Sequence, residues 1–164
     1  MTTPAEVIAA LVTAHQSVAT CESLTGGLIA GTLTRVPGAS EVVRGGLITY
    51  TADLKTRLAG VPAAVIERYG VVSREVALGM AEGVRRVARA DWGIGVTGVA
   101  GPGPADGVAP GTVWVAVVGP GVSGVRCLRL EGGRDDVRDG TVAAAIADLA
   151  DALAHVQGQG GTPG

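Results

Sequence analysis

Apolar residues along the chain follow two spacings, one typical of helices and one typical of strands. Apolar positions three or four residues apart, such as Val76, Met80 and Val84, predict a helix with one buried face. Short runs rich in β-branched residues, bounded by glycine or proline, predict strands. Helices are predicted after Thr3-Pro4, from residue 28 to about 36, within 51–60, at 62–69, from Ser73 through Val87 and from Arg134 onward. Strands are predicted at 17–21, 40–50, 91–100, 112–118 and 122–130.

The order of these elements predicts an α/β fold. Parallel strands need crossover connections, which the predicted helices supply, whereas Gly119-Pro120-Gly121 between the last two strands predicts an antiparallel hairpin. We therefore expect a three-layer α/β/α sandwich on a mixed, largely parallel sheet. A chain of 164 residues suits one core, so we expect a single domain over residues 1–157. The Gly-, Gln- and Pro-containing residues 158–164 predict a disordered tail.

Composition and charge narrow the classes of partner. Hydrophobic residues make up 47% of the chain, with no Phe, two Trp and two Tyr, and the net charge is −2. Acidic and basic residues are mixed along the sequence, so we expect no nucleic-acid and no membrane-surface partner. Arg85, Arg86 and Arg89 cluster beside Glu82 on one predicted helix, which favours a solvated face.

Cysteine and histidine usage gives no sign of a metal centre or a disulfide framework. Cys21 and Cys127 are far apart in sequence, and His15 and His155 lie near the two ends of the chain. This spacing matches no zinc motif, so we expect no protein-bound metal. The N-terminus lacks a basic region before its apolar stretch, and no segment approaches membrane-spanning length. We expect a cytoplasmic protein.

The first candidate site is the stretch from Thr20 to Gly27, where a predicted strand turns into a helix through Ser23-Leu24-Thr25-Gly26-Gly27. Such a turn directs free backbone N–H groups and the positive end of a helix into a crevice. It therefore predicts an anion or oxyanion site. The alternative is an ordinary helix cap, since Ser, Thr and Gly are also the usual residues of caps and turns.

Lys55 stands out because it is the only lysine, all other basic side chains apart from histidine being arginine. A lysine amine, unlike a guanidinium, can lose its proton when its pKa is lowered. With Tyr50 five residues earlier, it predicts a base pair for Ser23, because an ammonium favours a phenolate that accepts the serine proton. Whether Tyr50 or Lys55 is the immediate base stays open, and a lone surface lysine is the alternative.

A second glycine-rich segment follows the predicted strand at 91–100 and continues to Gly111. A loop at the carboxyl end of a buried strand is where open α/β sheets hold ligands. The segment has no Walker lysine and does not complete the dinucleotide fingerprint. A connecting loop without ligand is the alternative.

Several short motifs occur in order over nearly the whole chain. They are Glu22-Ser23-Leu24-Thr25-Gly26-Gly27, Pro37-Gly38-Ala39-Ser40, Arg44-Gly45-Gly46, Thr49-Tyr50 with Lys55, Gly70-Val71-Val72-Ser73, Thr97-Gly98-Val99-Ala100-Gly101-Pro102 and Gly111-Thr112-Val113-Trp114. Together they resemble the CinA C-terminal domain family, which includes the stand-alone nicotinamide-nucleotide amidases. The resemblance implies hydrolysis of nicotinamide mononucleotide to nicotinate mononucleotide and ammonia, with no metal cofactor and in a homo-oligomer.

The resemblance also implies roles for individual residues. The catalytic serine, tyrosine and lysine of the family fall on Ser23, Tyr50 and Lys55. The family implies a serine nucleophile that forms an acyl intermediate, with the Tyr50–Lys55 pair relaying protons. The residues expected to bind the substrate are Glu22, Thr25, Gly26, Gly27, Thr97, Gly98, Ala100, Gly101 and Arg134.

The chain departs from the family pattern at a few positions. Leu24 stands where the family commonly has cysteine, and the loop from Gly103 to Pro110 resembles a shortened version without a lysine often found there. Two alternatives to the amidase therefore stay open. One is a non-catalytic module that binds a nucleotide or a competence-related partner, and the other is an amidase for a different small amide.

Overall fold

The computed structural model of the chain describes residues 2–159. The helices are α1 (Pro4–Ala14), α2 (Leu28–Thr34), α3 (Ala52–Ala59), α4 (Ala63–Tyr69), α5 (Arg74–Ala88) and α6 (Arg134–Gln159), with a 3₁₀ turn at Ala39–Glu41. The strands are β1 (Val18–Glu22), β2 (Val43–Ile48), β3 (Trp92–Gly98), β4 (Thr112–Gly119) and β5 (Val122–Arg129).

The five strands form one sheet in the order β2-β1-β3-β4-β5. β1 lies between β2 and β3 and is parallel to both, whereas β3–β4 and β4–β5 are antiparallel. The predicted mixed sheet is confirmed, because helices separate the parallel strands and a tight turn at Pro120-Gly121 joins the last two. The carboxyl ends of β1 and β3 consequently meet at the same edge of the sheet.

Helices cover both faces of the sheet, so the predicted three-layer sandwich is confirmed. On one face, apolar residues of α1, α2 and α6 pack against alternate residues of the central strands, including Trp92, Ile94 and Val96. On the other face, α5 and the end of α3 pack against Ala19 and Cys21. β1 is buried along its whole length, as expected for a strand between two helical layers.

Helix α5 lies unusually close to β3 because two strand residues on that face are glycines. A Cβ at Gly93 would lie 2.1 Å from the Ala81 carbonyl oxygen, and one at Gly95 would lie 2.3 Å from that of Ala77. Neither strand residue has a left-handed φ. The glycines are therefore needed for the close approach of the α5 backbone to β3, and not for a turn. The helix backbone therefore rests directly on the strand.

The predicted strand at 40–50 is shorter in the structure. Its first residues form the 3₁₀ turn at Ala39–Glu41, and β2 begins only at Val43. The register with β1 shifts between Val18 and Ala19, opposite Arg44, where β2 has one extra residue. β2 is an edge strand whose residues alternate between half-buried and exposed.

The last helix continues beyond its predicted end. Helix α6 reaches Gln159, so the prediction that disorder begins at residue 158 is wrong for Gly158 and Gln159. A glycine near a helix end costs only about 1 kcal/mol relative to alanine, which a preceding helix of this length tolerates. The rest of the predicted tail, 160–164, lies outside the described residues.

Candidate active site

Ser23 lies at the carboxyl end of β1, at the point where the strand turns towards α2. Its backbone N–H donates to the Val96 carbonyl of β3 at 3.2 Å, so the neighbouring strand holds the residue in place. The side chain is largely buried, with 7% of its surface exposed. The predicted nucleophile is therefore anchored to the centre of the sheet.

Lys55 reaches this point from α3 and is completely buried. Its Nζ donates to Ser23 Oγ at 3.0 Å, to the Thr49 carbonyl at 2.6 Å and to the Tyr50 carbonyl at 3.5 Å. A neutral lysine amine has two N–H donors and one lone pair. The three donated bonds suit the ammonium form; when the amine is neutral, its two N–H groups can stay on the carbonyls and its lone pair can accept the Ser23 hydroxyl.

Burial lowers the pKa of Lys55 from 10.5 to about 8, and a negative charge on the nearby Cys21 would oppose this change. Burial also raises the pKa of the Cys21 thiol to about 11. At neutral pH Cys21 is therefore an uncharged thiol that does not stabilise the Lys55 ammonium. A lysine with a pKa close to the working pH suits proton transfer to and from a hydroxyl.

Glu22 is buried and accepts four hydrogen bonds instead of facing a ligand. Its carboxylate accepts the Thr20 and Thr25 hydroxyls at 3.0 and 2.7 Å. It also accepts the N–H groups of Ile29 and Ala30 at 2.9 and 3.0 Å. The positive end of α2 is thus occupied by a carboxylate of the chain itself. The anion site predicted there from the sequence is already filled.

The two glycines of the turn shape the backbone between Ser23 and α2. Gly26 has a φ of +58° and donates its N–H to the Ser23 carbonyl at 3.1 Å, and Gly27, with a φ of +101°, precedes the first residue of α2. The N–H of Gly26 is therefore used within the turn. Across residues 2–159, the N–H groups of Leu24 and Thr25 donate to no protein acceptor.

Arg138 of α6 holds the same turn from the opposite layer. Its Nε donates to the Leu24 carbonyl at 3.1 Å, and its Nη1 lies 3.4 Å from Asp135. The Arg138 side chain is 29% exposed, whereas that of Asp135 is 88% exposed. The charged hydrogen bond to the turn is thus better shielded from water than the ion pair. The sequence alone did not single out Arg138.

Tyr50 does not form the predicted pair with Lys55. Its hydroxyl accepts a hydrogen bond from Arg134 Nη2 at 3.1 Å, and 58% of the residue is exposed. The contact of Tyr50 with Lys55 is made by its backbone carbonyl and not by its hydroxyl. The side chain of a residue at a strand end turns towards the partner that tertiary packing offers, which here is a guanidinium on α6.

A cavity of about 220 Å³ opens beside Ser23. Arg134 lies at its edge and donates to the Gly101 carbonyl at 2.9 Å, while the Thr97 hydroxyl donates to the Val71 carbonyl at 2.9 Å. The first bond joins α6 to the loop after β3, and the second joins β3 to the segment before α5. The lining residues are Ser23, Leu24, Tyr50, Val71, Val72, Thr97, Gly98, Val99, Ala100, Gly101, Gly103, Ala105, Asp106 and Arg134.

The structure brings together most, but not all, of the predicted site residues. Lys55 contacts Ser23 without lining the cavity. The seven predicted residues that line it are Ser23, Tyr50, Thr97, Gly98, Ala100, Gly101 and Arg134. Glu22, Thr25, Gly26 and Gly27 do not line it. Val71, Val72 and Asp106 line it without having been predicted, although Gly70-Val71-Val72-Ser73 is one of the motifs that carry the resemblance.

Neither a metal cluster nor a membrane-spanning helix occurs in the part of the chain that the structure describes. No three His, Cys, Asp or Glu side chains come together there as a metal site requires. None of the described helices combines the length and the hydropathy needed to cross a bilayer.

Curated relatives with similar sequences are long proteins that this chain matches only in part. It is 44% identical to a putative competence-damage inducible protein of Desulforamulus reducens over 136 aligned residues. The aligned region covers 83% of this chain and 33% of that protein. It is 48% identical over 119 residues to a CinA-like protein of Anaeromyxobacter sp. strain Fw109-5, covering 72% of this chain and 29% of that one. The chain thus spans about a third of the length of these relatives.

Solved structures of similar length share the fold. A CinA superfamily protein from Klebsiella pneumoniae 700603 superimposes with a TM-score of 0.89 at 31% identity, covering 93% of this chain and 96% of that one. A competence/damage inducible protein from Agrobacterium tumefaciens gives a TM-score of 0.82 at 37% identity, covering 92% and 94%. The sequence model of the CinA C-terminal domain family matches residues 1–153. By sequence and by fold, this chain belongs to the CinA C-terminal domain family.

Proposed function

We propose that the chain is a serine amidase that converts nicotinamide mononucleotide to nicotinate mononucleotide and ammonia. The observation that carries the proposal is the 3.0 Å contact between the buried Lys55 Nζ and Ser23 Oγ at the wall of a cavity. A nucleophilic hydroxyl requires a base within hydrogen-bond reach, and this lysine meets that requirement. The family resemblance supports the choice of amide.

In the first half of the reaction, Ser23 Oγ attacks the carboxamide carbon while its proton passes to the neutral amine of Lys55. The C=O bond becomes a C–O⁻ bond, and we assign the N–H groups of Leu24 and Thr25, which directly follow Ser23 and have no acceptor within the described residues, as donors to this oxyanion. The Lys55 ammonium then returns the proton to the amide nitrogen. The C–N bond breaks, and ammonia leaves the acyl enzyme.

In the second half, a water molecule attacks the acyl carbon and gives a proton to Lys55. The second tetrahedral oxyanion collapses, the bond between the acyl carbon and Ser23 Oγ breaks, and Lys55 reprotonates Ser23. Lys55 acts in both halves, because Tyr50 presents only its carbonyl to Lys55 and its hydroxyl to Arg134. The family tyrosine is thus part of the cavity wall and not the immediate base.

The anionic end of the substrate belongs near Arg134. The N-terminus of α2 already holds the Glu22 carboxylate, which excludes a second anion there. Arg134 is an exposed cation at the cavity edge. We assign the phosphate to this end of the cavity and the carboxamide to the end formed by Ser23.

The decisive experiment is ammonia release from nicotinamide mononucleotide by the purified chain, beside Ser23→Ala and Lys55→Met. We expect release by the wild type and a loss of at least a thousandfold in both variants, since removing a member of a catalytic unit has effects of this order or larger. Arg57→Gln is the matched control, because Arg57 lies on the same helix as Lys55 and its side chain is 73% exposed.

Circular dichroism shows whether each variant is folded. No release by the folded wild type, together with binding of the nucleotide in calorimetry, would contradict the amidase and support a non-catalytic binding module. Release from other small amides but not from this nucleotide would retain the serine chemistry and change the substrate.

A further inference from the structure

The contact between Arg138 and the turn after Ser23 has a consequence for the chemistry of the turn. Arg138 Nε donates to the carbonyl of Leu24, and that carbonyl belongs to the same peptide group as the N–H of Thr25. The peptide is trans, so its C=O and N–H point in opposite directions. Arg138 therefore fixes the direction in which the Thr25 N–H points.

The N–H of Thr25 has no protein acceptor within residues 2–159. Elsewhere in the turn, the Ser23 N–H is held by Val96 and the Gly26 N–H by Ser23 itself. The Thr25 side chain is buried and donates its hydroxyl to Glu22. The peptide is thus held at its carbonyl by Arg138 and at its side chain by Glu22, and its N–H, two residues after Ser23 in the chain, has no acceptor within the described residues.

We propose that Arg138 is a positioning residue that orients and polarises the Leu24–Thr25 peptide so that its N–H stabilises the oxyanion formed at Ser23. A guanidinium on a carbonyl makes a charge-assisted hydrogen bond, and hydrogen bonds that share a peptide group strengthen one another. Arg138 acts through the peptide and does not touch the reacting atoms. This inference rests on the serine chemistry of the proposed function, but not on the identity of the amide.

The test uses an alkyl fluorophosphonate, which reports on Ser23 whatever the natural substrate is. Ser23 Oγ bonds to phosphorus, the P–F bond breaks, fluoride leaves and the hydroxyl proton passes to Lys55, while the phosphoryl oxygen takes the place of the oxyanion. The rate of labelling is followed by intact-protein mass. Ser23→Ala shows that the label is on Ser23.

We expect Arg138→Ala to slow labelling about tenfold to a hundredfold, the range seen when an outer partner of a reacting group is removed elsewhere. Arg138→Lys restores part of the rate, because one N–H donor can still reach the carbonyl. With nicotinamide mononucleotide as substrate, kcat falls by the same factor and KM stays within about twofold, since the ground-state amide gains little from an oxyanion donor.

Two controls separate positioning from general destabilisation. Asp135→Asn removes the ion pair with Arg138 but leaves the contact with Leu24. Arg126→Ala removes an arginine that pairs with Asp148 on β5 and α6, far along the helix from the turn. We expect both to label at the wild-type rate, and thermal unfolding shows whether each variant is folded.

Labelling of folded Arg138→Ala at the wild-type rate would overturn the inference, as would an equal loss in Arg126→Ala. If Arg138→Ala does not fold, Arg138→Lys decides: a rate equal to that of the wild type overturns it, and a severalfold loss supports it. Normal labelling without ammonia release refutes only the proposed substrate. A wild type that is not labelled refutes the serine chemistry and this inference together.

Discussion

Among single residues, Lys55 links the reaction to the free energy of unfolding. Burial lowers its pKa to about 8, which makes the neutral amine accessible near neutral pH but also makes its ammonium form unfavourable in the folded protein. The composition of the chain points to this residue, because it is the only lysine. Its contacts do not follow from the sequence, since they depend on how α3 packs behind β1.

The first prediction concerns the stability of the wild type and of Lys55→Met as pH rises. The Lys55 pKa is about 8 when folded and 10.5 when exposed, so below pH 8 both states hold the proton. Between these values the unfolded state binds more protons, and stability therefore increases with pH. Relative to Lys55→Met, the wild type should gain up to about 3 kcal/mol from pH 7 to 10.5. Urea unfolding at several pH values measures the difference, and a constant difference would contradict the burial of Lys55.

The second prediction concerns Glu22, which the sequence suggests as a ligand residue and the structure uses as an internal anchor. Glu22→Gln removes the charge and places an NH₂ group among four donors. Hydrogen bonds to charged groups contribute about 1.5–3 kcal/mol each, and a mismatched donor is left unpaired. We expect a loss of about 2–4 kcal/mol in the free energy of unfolding. Glu67→Gln, on an exposed position of α4, is the control and should change it by less than about 0.5 kcal/mol.

At the scale of elements, the sequence predicts the helices and strands with local signals that the structure confirms. Thr3 forms a capping box with Glu6 at the start of α1, and Ser73 caps α5 through the N–H of Val76. The missed element is the 3₁₀ turn at Ala39–Glu41, where β-branched residues beyond the turn resemble a longer strand. The hydrophobic pattern of an edge strand marks its ends less clearly, because one edge of the strand faces solvent and not a neighbouring strand.

The third prediction tests the close packing of α5 on β3. Gly93→Ala would place a methyl group 2.1 Å from the Ala81 carbonyl oxygen, so helix and strand must separate. We expect a loss of about 3 kcal/mol or more, at the upper end of the effects of overpacking. Gly31→Ala is the control: it lies in α2 with no atom within 4 Å of the new Cβ, and should add about 0.5–1 kcal/mol. Equal effects of the two changes in urea unfolding would show that α5 does not rest on the strand.

At the scale of the whole molecule, the candidate site draws on all three layers. Ser23 directly follows β1 of the sheet, whereas Lys55 lies on a helix on one face and Arg134 on a helix on the other. The order of strands and helices predicts the sheet edge at which they meet. It does not predict that Tyr50 turns to Arg134 or that Arg138 reaches Leu24, because these contacts join segments about 84 and 114 residues apart, which no local pattern relates.

The fourth prediction is that the three layers unfold as one unit, since both helical layers share a single sheet. The two tryptophans of the chain report on opposite faces: Trp92 packs with α1, α2 and α6, and Trp114 lies on the α5 side. In Trp114→Phe the fluorescence reports only on Trp92, and in Trp92→Phe only on Trp114. Within each variant we expect the fluorescence midpoint to coincide with the circular dichroism midpoint to within about 1 °C, as for a two-state transition. A Trp114 signal that changes several degrees before the dichroism would show that the α5 layer opens first, and Lys55 would then lose its burial before the sheet unfolds.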